Sequence, residues 1–190
     1  YMEQMYGAVF DGQIIKKGEY QIIRFYIEVL SGDDELLKQA VTFLHEILFS
    51  PCIEGEGFSE EIFNVEKSML NDIIAERIND KNEYSRLKCI EHMCKDEPFG
   101  IYADGYMEDL GGIDRVSLYK HYKSIISDAP IEFIITGDTD RSLCESLIIE
   151  SFGQLSSENQ IKYIDGINYN PKEKSVIVEN MEVGQGKICI

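Results

Sequence analysis

The chain has 190 residues, 35 acidic against 18 basic, for a formal charge of −17. That balance argues against a nucleic-acid-binding surface, which needs clustered cations, and against binding to anionic membranes. At 44% hydrophobic and 28% charged, it reads as an ordinary globular chain, large enough for one sizeable domain or one domain and the beginning of another.

Five cysteines, Cys52, Cys89, Cys94, Cys144 and Cys189, form no CxxC pair, so reduced, mostly buried thiols in a cytoplasmic protein are expected. No run approaches the roughly eighteen apolar residues of a membrane helix, and the N-terminus lacks the zones of a signal peptide. The chain begins at Tyr1 and ends in the apolar run Lys187-Ile-Cys-Ile190, which suggests a segment of something longer.

In chain order, residues 8–30 read as a hairpin turning at Lys16-Lys17-Gly18-Glu19. In its second arm Ile23, Phe25, Ile27 and Val29 alternate with Arg24, Tyr26 and Glu28, the period of a strand buried on one face. Ser31-Gly32-Asp33 breaks the strand and supplies a cap. Leu37, Val41, Leu44 and Leu48 mark an amphipathic helix over 35–49, stopped by Pro51 and expected to lie on the hairpin's apolar face. Each Leu or Val fully buried there would stabilise by roughly 1.5–3 kcal/mol.

The longest helical pattern runs from Phe58 to Asp80, with Ser59 as its cap and Phe58 and Phe63 placed for a hydrophobic staple. Ile62, Met69, Leu70, Ile73, Ile74 and Ile78 form its expected core stripe, and Glu66, Lys67, Asp72, Glu76 and Arg77 occupy the other faces. A further helix covers 82–94, with Leu87, Ile90 and Cys94 inward, and Pro98 and Gly100 make the next stretch a loop. Helices follow over 114–127 and 141–155, the second with Leu143, Leu147, Ile148 and Phe152 inward, and Ile131–Thr136 between them reads as a strand. Residues 1–155 form the expected main lobe and 156–174 a polar linker. Residues 175–190, strand-like at 176–178 and 187–190, would open a second lobe. Strands and helices mix without strict βαβ alternation, so the expected class is α+β, an antiparallel-rich mixed sheet packed against several helices.

Chemistry is sparse in this pattern. His45 sits beside Glu46 but has no second histidine three or four residues away, the spacing that lets side chains of one helix share an ion. A Cys89/His92 site is conceivable at that spacing, but a packed thiol and a surface imidazole are the plainer reading, and His121 reads as exposed. No nucleophile elbow, P-loop or dinucleotide fingerprint is present. Asp72 and Glu76 share a helix face with no histidine beside them. No catalytic, cofactor-binding or metal-binding residue is assigned.

Several phrases, in order, resemble the pitrilysin/insulinase family of zinc peptidases, which includes mitochondrial processing peptidases and bacterial relatives. They are Tyr6-Gly7-Ala8 with Lys16 to Tyr20, Phe43 to Pro51, Phe58-Ser-Glu-Glu, Val65-Glu66-Lys67 and Asp80-Lys81-Asn82. Pro98-Phe99-Gly100, Gly105, Glu108-Asp109-Leu110, Tyr119 to Tyr122 and Ile134 to Asp138 continue the series. Val183 to Lys187 looks like the entry to a second homologous lobe.

In active members of that family an HxxEH helix supplies two zinc-binding histidines and the Glu that activates a zinc-bound water. The resemblance implies that this helix lies upstream of Tyr1. It also implies that a third ligand, a Glu, stands two helical turns after the position of Glu66. That residue is Ile73, which has no lone pair to give a metal. The wording from Glu91 to Pro98, with Asp80-Lys81, looks most like a degenerate bacterial subgroup of non-catalytic partners.

The expectation is therefore an inactive member that pairs with a homologous peptidase subunit, as a homo- or heterodimer, or that holds a peptide. It needs no cofactor in this segment, although zinc in the intact protein stays open. The alternatives are an active zinc endopeptidase whose site Asp72 or Glu76 completes, and a binding domain unrelated to peptidases.

Overall fold

Four of the helices begin on an aspartate, for the same local reason. A helix leaves its first-turn amides without internal partners, and a short carboxylate just before it can accept from them. In the computed structural model, which describes residues 2–155, 176–182 and 184–189, Asp33 accepts from the Glu35 and Leu36 amides at 3.0 and 3.1 Å. It thereby starts helix α1, Asp34–Phe49. Asp80 starts α3, Lys81–Met93. Asp114 starts α5, Arg115–Asp128, through a capping box with Ser117, and Asp140 starts α6, Arg141–Phe152. Helix α2, Glu60–Glu76, is begun differently: the Glu54 carboxylate accepts from the Glu60 amide at 3.3 Å.

The strands are few. β1, Val9–Lys17, pairs with β2, Tyr20–Glu28, and β3, Ile53–Glu54, pairs antiparallel with β4, Gly57–Phe58. A short helix α4, Met107–Leu110, follows α3. The class is α+β, with its β part confined among the described residues to two separate two-stranded ribbons. None of the described helices is long and apolar enough to cross a membrane.

The chain groups into two compact units. The first comprises Tyr1–Gln13, Ile23–Val65 and Ile113–Lys162, and the second Ile14–Ile22, Glu66–Gly112 and Tyr163–Ile190. In the first unit the core lies where α1 meets α6: Val41, Leu147 and Phe152 are buried, with Leu37, Leu44, Leu48, Leu143 and Ile148 packed around them. The Phe133 ring, itself exposed, touches the edge of this core, with its centroid 4.5 Å from that of Phe152. α5 lies against β4, where Arg115 donates to the carbonyls of Phe58, at 3.1 Å, and Glu54. The Phe58 ring meets Tyr119 and Tyr122 edge-on, at 5.2 and 5.6 Å.

The second unit is tied by a cation. Lys16, near the hairpin tip, donates to the carbonyls of Pro98 at 2.7 Å, Phe99 at 2.9 Å and Ile101. Gly100 sits so close to the end of α3 that a Cβ there would stand 2.2 Å from the Cys94 carbonyl oxygen.

Several expectations are corrected. The hairpin does not bury one face: Ile23 and Phe25 are exposed. The main partner of α1 is α6, while the hairpin reaches α1 through Phe10, which meets Phe43 at 5.2 Å. Residues 131–136 form no strand, and neither do the described residues from 176 onward. A strand is defined by its neighbour, and apolar composition alone cannot supply one. The long helix ends at Glu76, and a turn separates it from the Asp80 cap of α3. The expected linker at 156–174 lies outside the described residues.

Candidate functional site on helix α2

α2 carries the positions on which a peptidase reading depends. Ile62, Val65, Met69 and Ile73 recur at three- and four-residue steps and so lie along one face. All four are exposed, Ile73 at 53%. The expectation that Ile73 belongs to a core stripe is thus wrong here: among the described residues the helix turns Ile74 inward and leaves Ile73 out. The physical reason is that Ile73 and Ile74 are neighbours in sequence but about 100° apart around the helix, so one partner cannot cover both.

Glu66, Asp72 and Glu76 are also exposed. Asp72, one residue before Ile73, points about 100° away from it. Glu76 shares the face of Ile73 but stands three residues further along, a rise of about 4.5 Å. Zinc–oxygen bonds near 2.0–2.2 Å do not tolerate such a displacement without the rest of the ligand set moving too.

No group of three His, Cys, Asp or Glu side chains that could hold a metal ion occurs among the described residues. The donor set around Ile73 does not fit zinc. The histidines are dispersed. His45 packs its ring against Phe49 and Phe152, at 4.8 and 5.6 Å. His92 and His121 are exposed. His92 lines a cavity of about 290 Å³ with Glu91, Lys95, Gly100, Ile101 and Tyr106. The Cys89 thiol, considered beside His92, is half-buried on α3.

Sequence reading missed the polar network beside that cavity. Glu91 accepts from Lys88 at 2.8 Å and from the hydroxyl of buried Tyr102 at 2.8 Å. Burial alone would raise the Glu91 pKa, but the bonds from Lys88 and Tyr102 outweigh it and hold the carboxyl below its usual value. The bond to Glu91 raises Lys88, and burial followed by the same carboxylate raises Tyr102. Arg77 stacks over the Tyr102 ring at 4.1 Å and donates to the Gly105 carbonyl at 3.1 Å. The three-residue spacing of Lys88 and Glu91 was a readable signal, but nothing local announced Tyr102.

The phrases that carried the resemblance meet in two places. In the first unit Phe49, Pro51, Tyr119 and Tyr122 line a cavity of about 390 Å³, and the Tyr122 hydroxyl donates to the Leu48 carbonyl. In the second unit Lys16 meets the short turn Pro98–Gly100, and Gly105 accepts from Arg77, a residue outside those phrases.

A scan against protein-family models finds no match. The chain is 29% identical, over all of its length, to a Bacillus subtilis (strain 168) protein named "Probable inactive metalloprotease YmfF", and spans 46% of it. It superimposes with a TM-score of 0.75, at 25% identity and over 93% of its residues, on the crystal structure of a conserved protein from Enterococcus faecalis V583, spanning 42% of that chain. The chain therefore corresponds to a little less than half the length of each of these two proteins.

Proposed function

We propose that this chain is part of a metalloprotease-like protein without peptidase activity of its own, an insulinase-like member that holds a peptide or supports a homologous catalytic subunit. The observation that carries the reading is Ile73. It stands on an exposed face of α2, at the position where the resemblance calls for a ligand carboxylate, and a branched alkyl group there neither binds zinc nor polarises water. The likeness to a relative named as an inactive metalloprotease supports the same reading.

The fold can hold a partner without doing chemistry, because fold and activity are separable and activity resides in the site. The acidic balance of the chain favours basic peptides or basic partner surfaces. The test is hydrolysis of fluorogenic peptides by the intact protein, with and without a chelator. The expected result is no chelator-sensitive cleavage, either for the wild type or for Ile73→Glu alone. Chelator-sensitive cleavage by the wild type that disappears on Asp72→Ala or Glu76→Ala would overturn the reading in favour of an active endopeptidase.

A further inference from the structure

The cavity of about 390 Å³ in the first unit joins apolar walls to one cation. Phe49, Tyr122, Ile126 and Leu155 form the walls, and Lys123 and Gln154 bring polar groups to them. In a chain with 35 acidic residues against 18 basic, no carboxylate lines this cavity among the described residues. Its volume falls within the roughly 300–1,000 Å³ of small-ligand sites.

The walls are fixed from outside the cavity. The Tyr122 hydroxyl donates to the Leu48 carbonyl, the Tyr119 and Tyr122 rings stack with centroids 6.0 Å apart, and Phe58 meets both edge-on. Lys123 follows Tyr119 by one turn of α5, and its ammonium lies over that ring, 4.7 Å from the centroid. No ion pair engages it among the described residues. An ammonium resting on an aromatic face keeps its charge and its remaining donors, so it stays open to an anion. The Asp128 carboxylate, at the end of α5, accepts instead from the Ser124 and Ser127 hydroxyls at 3.0 and 2.8 Å.

We propose, building on the peptide-holding reading above, that this cavity receives the C-terminal residue of a peptide, its apolar side chain against the walls and its carboxylate on Lys123. The walls call for an apolar group and the lone ammonium for an anion beside it. A terminal residue with an apolar side chain carries both on the same carbon. The Gln154 amide offers a donor and an acceptor at the same cavity, which suits the peptide group preceding the terminal residue and has no use in binding a simple alkyl acid. The ammonium–carboxylate bond is charge-assisted, so the site distinguishes a terminal acid from a terminal amide.

The experiment titrates the intact protein into a fluorescein-labelled pentapeptide ending in phenylalanine and follows fluorescence anisotropy, with a chelator present so that no metal-dependent cleavage consumes the probe. The free-acid peptide should bind about tenfold more tightly than the same peptide with a C-terminal amide, the difference expected for one charge-assisted hydrogen bond. Lys123→Met should remove that preference and Lys123→Arg should keep it. Lys120→Met, at a neighbouring position of α5, should leave it unchanged. Both lysines are exposed, so these substitutions leave the fold intact. Equal binding of acid and amide, no binding of either, a preference that survives Lys123→Met, or displacement of the probe by decanoate more readily than by the unlabelled peptide would each overturn the proposal. Binding is read here and not cleavage, so a failure at this cavity leaves the inactive reading of Ile73, which hydrolysis tests, where it stands.

Discussion

Lys16 donates from its ammonium to the Pro98 carbonyl at 2.7 Å, across 82 residues of sequence. The same nitrogen also serves Phe99 and Ile101 and lies 5.5 Å from the centre of the Phe99 ring. A single cation thus serves three carbonyls around the short 3-10 turn Pro98–Gly100, of which the Pro98 carbonyl also accepts from the Ile101 amide at 3.2 Å. Lys16→Met keeps the stem but removes every donor. It should cost about 1.5–3 kcal/mol in urea unfolding and raise amide exchange in residues 99–101. An unchanged midpoint would show that the loop holds itself.

Gly57 explains how closely β4 and α5 approach. A Cβ at this position would lie 2.9 Å from the Arg115 carbonyl oxygen and 3.1 Å from the Val116 Cα, both backbone atoms that cannot rotate away. Gly57→Ala should therefore destabilise by about 1–3 kcal/mol, the usual cost of overpacking. Near-ultraviolet dichroism should report the disturbance, because Phe58, Tyr119 and Tyr122 share that contact.

The Lys88–Glu91–Tyr102 network predicts the form of the pH dependence. The folded Glu91 pKa lies below its usual 4.5, so the unfolded chain takes up that proton first as the solution is acidified. The contribution is complete above about 4.5 and is lost as pH falls through the folded value. Lys88 and Tyr102 have folded values raised above 10.5 and 10.0. Their contribution is complete below those values and fades as pH rises beyond them. In Glu91→Gln the thermal midpoint should lose part of its acid-side slope, and the unfolding free energy should fall by about 1–2 kcal/mol at neutral pH, because a hydrogen-bonded charge is replaced by an amide. A wild-type slope retained in full by the variant would assign the acid sensitivity to other carboxylates.

Much of this was legible in the sequence because it is local. The Asp33 and Asp114 starts and the inward set Leu143, Leu147, Ile148 and Phe152 depend on residues a few positions apart, whereas Pro98–Gly100, expected as a loop, closes a 3-10 turn that Pro98 can start because it needs no amide there. What was not legible depends on distant partners. Whether Ile131–Thr136 becomes a strand is decided by a neighbouring ladder, whether Ile73 or Ile74 is covered depends on what packs against α2, and Tyr102 reaches Glu91 by the path of an intervening loop. At the candidate site Ile73 was readable as an isoleucine where the resemblance implies a carboxylate, but its exposure was not.

That exposure has its own consequence. Ile73→Glu should alter the stability of the chain by no more than about 0.5 kcal/mol, as expected for a surface position away from caps and cores. A loss of about 2 kcal/mol or more, the scale of a buried aliphatic side chain, would place Ile73 back in a core.

The proposal of a metalloprotease-like chain without a complete metal site is tested most directly by the zinc content of the intact purified protein, measured by atomic emission for the wild type, Asp72→Ala and Glu76→Ala. The account predicts substoichiometric zinc in all three, with no difference among them. Stoichiometric zinc in the wild type that is lost in either variant would contradict it.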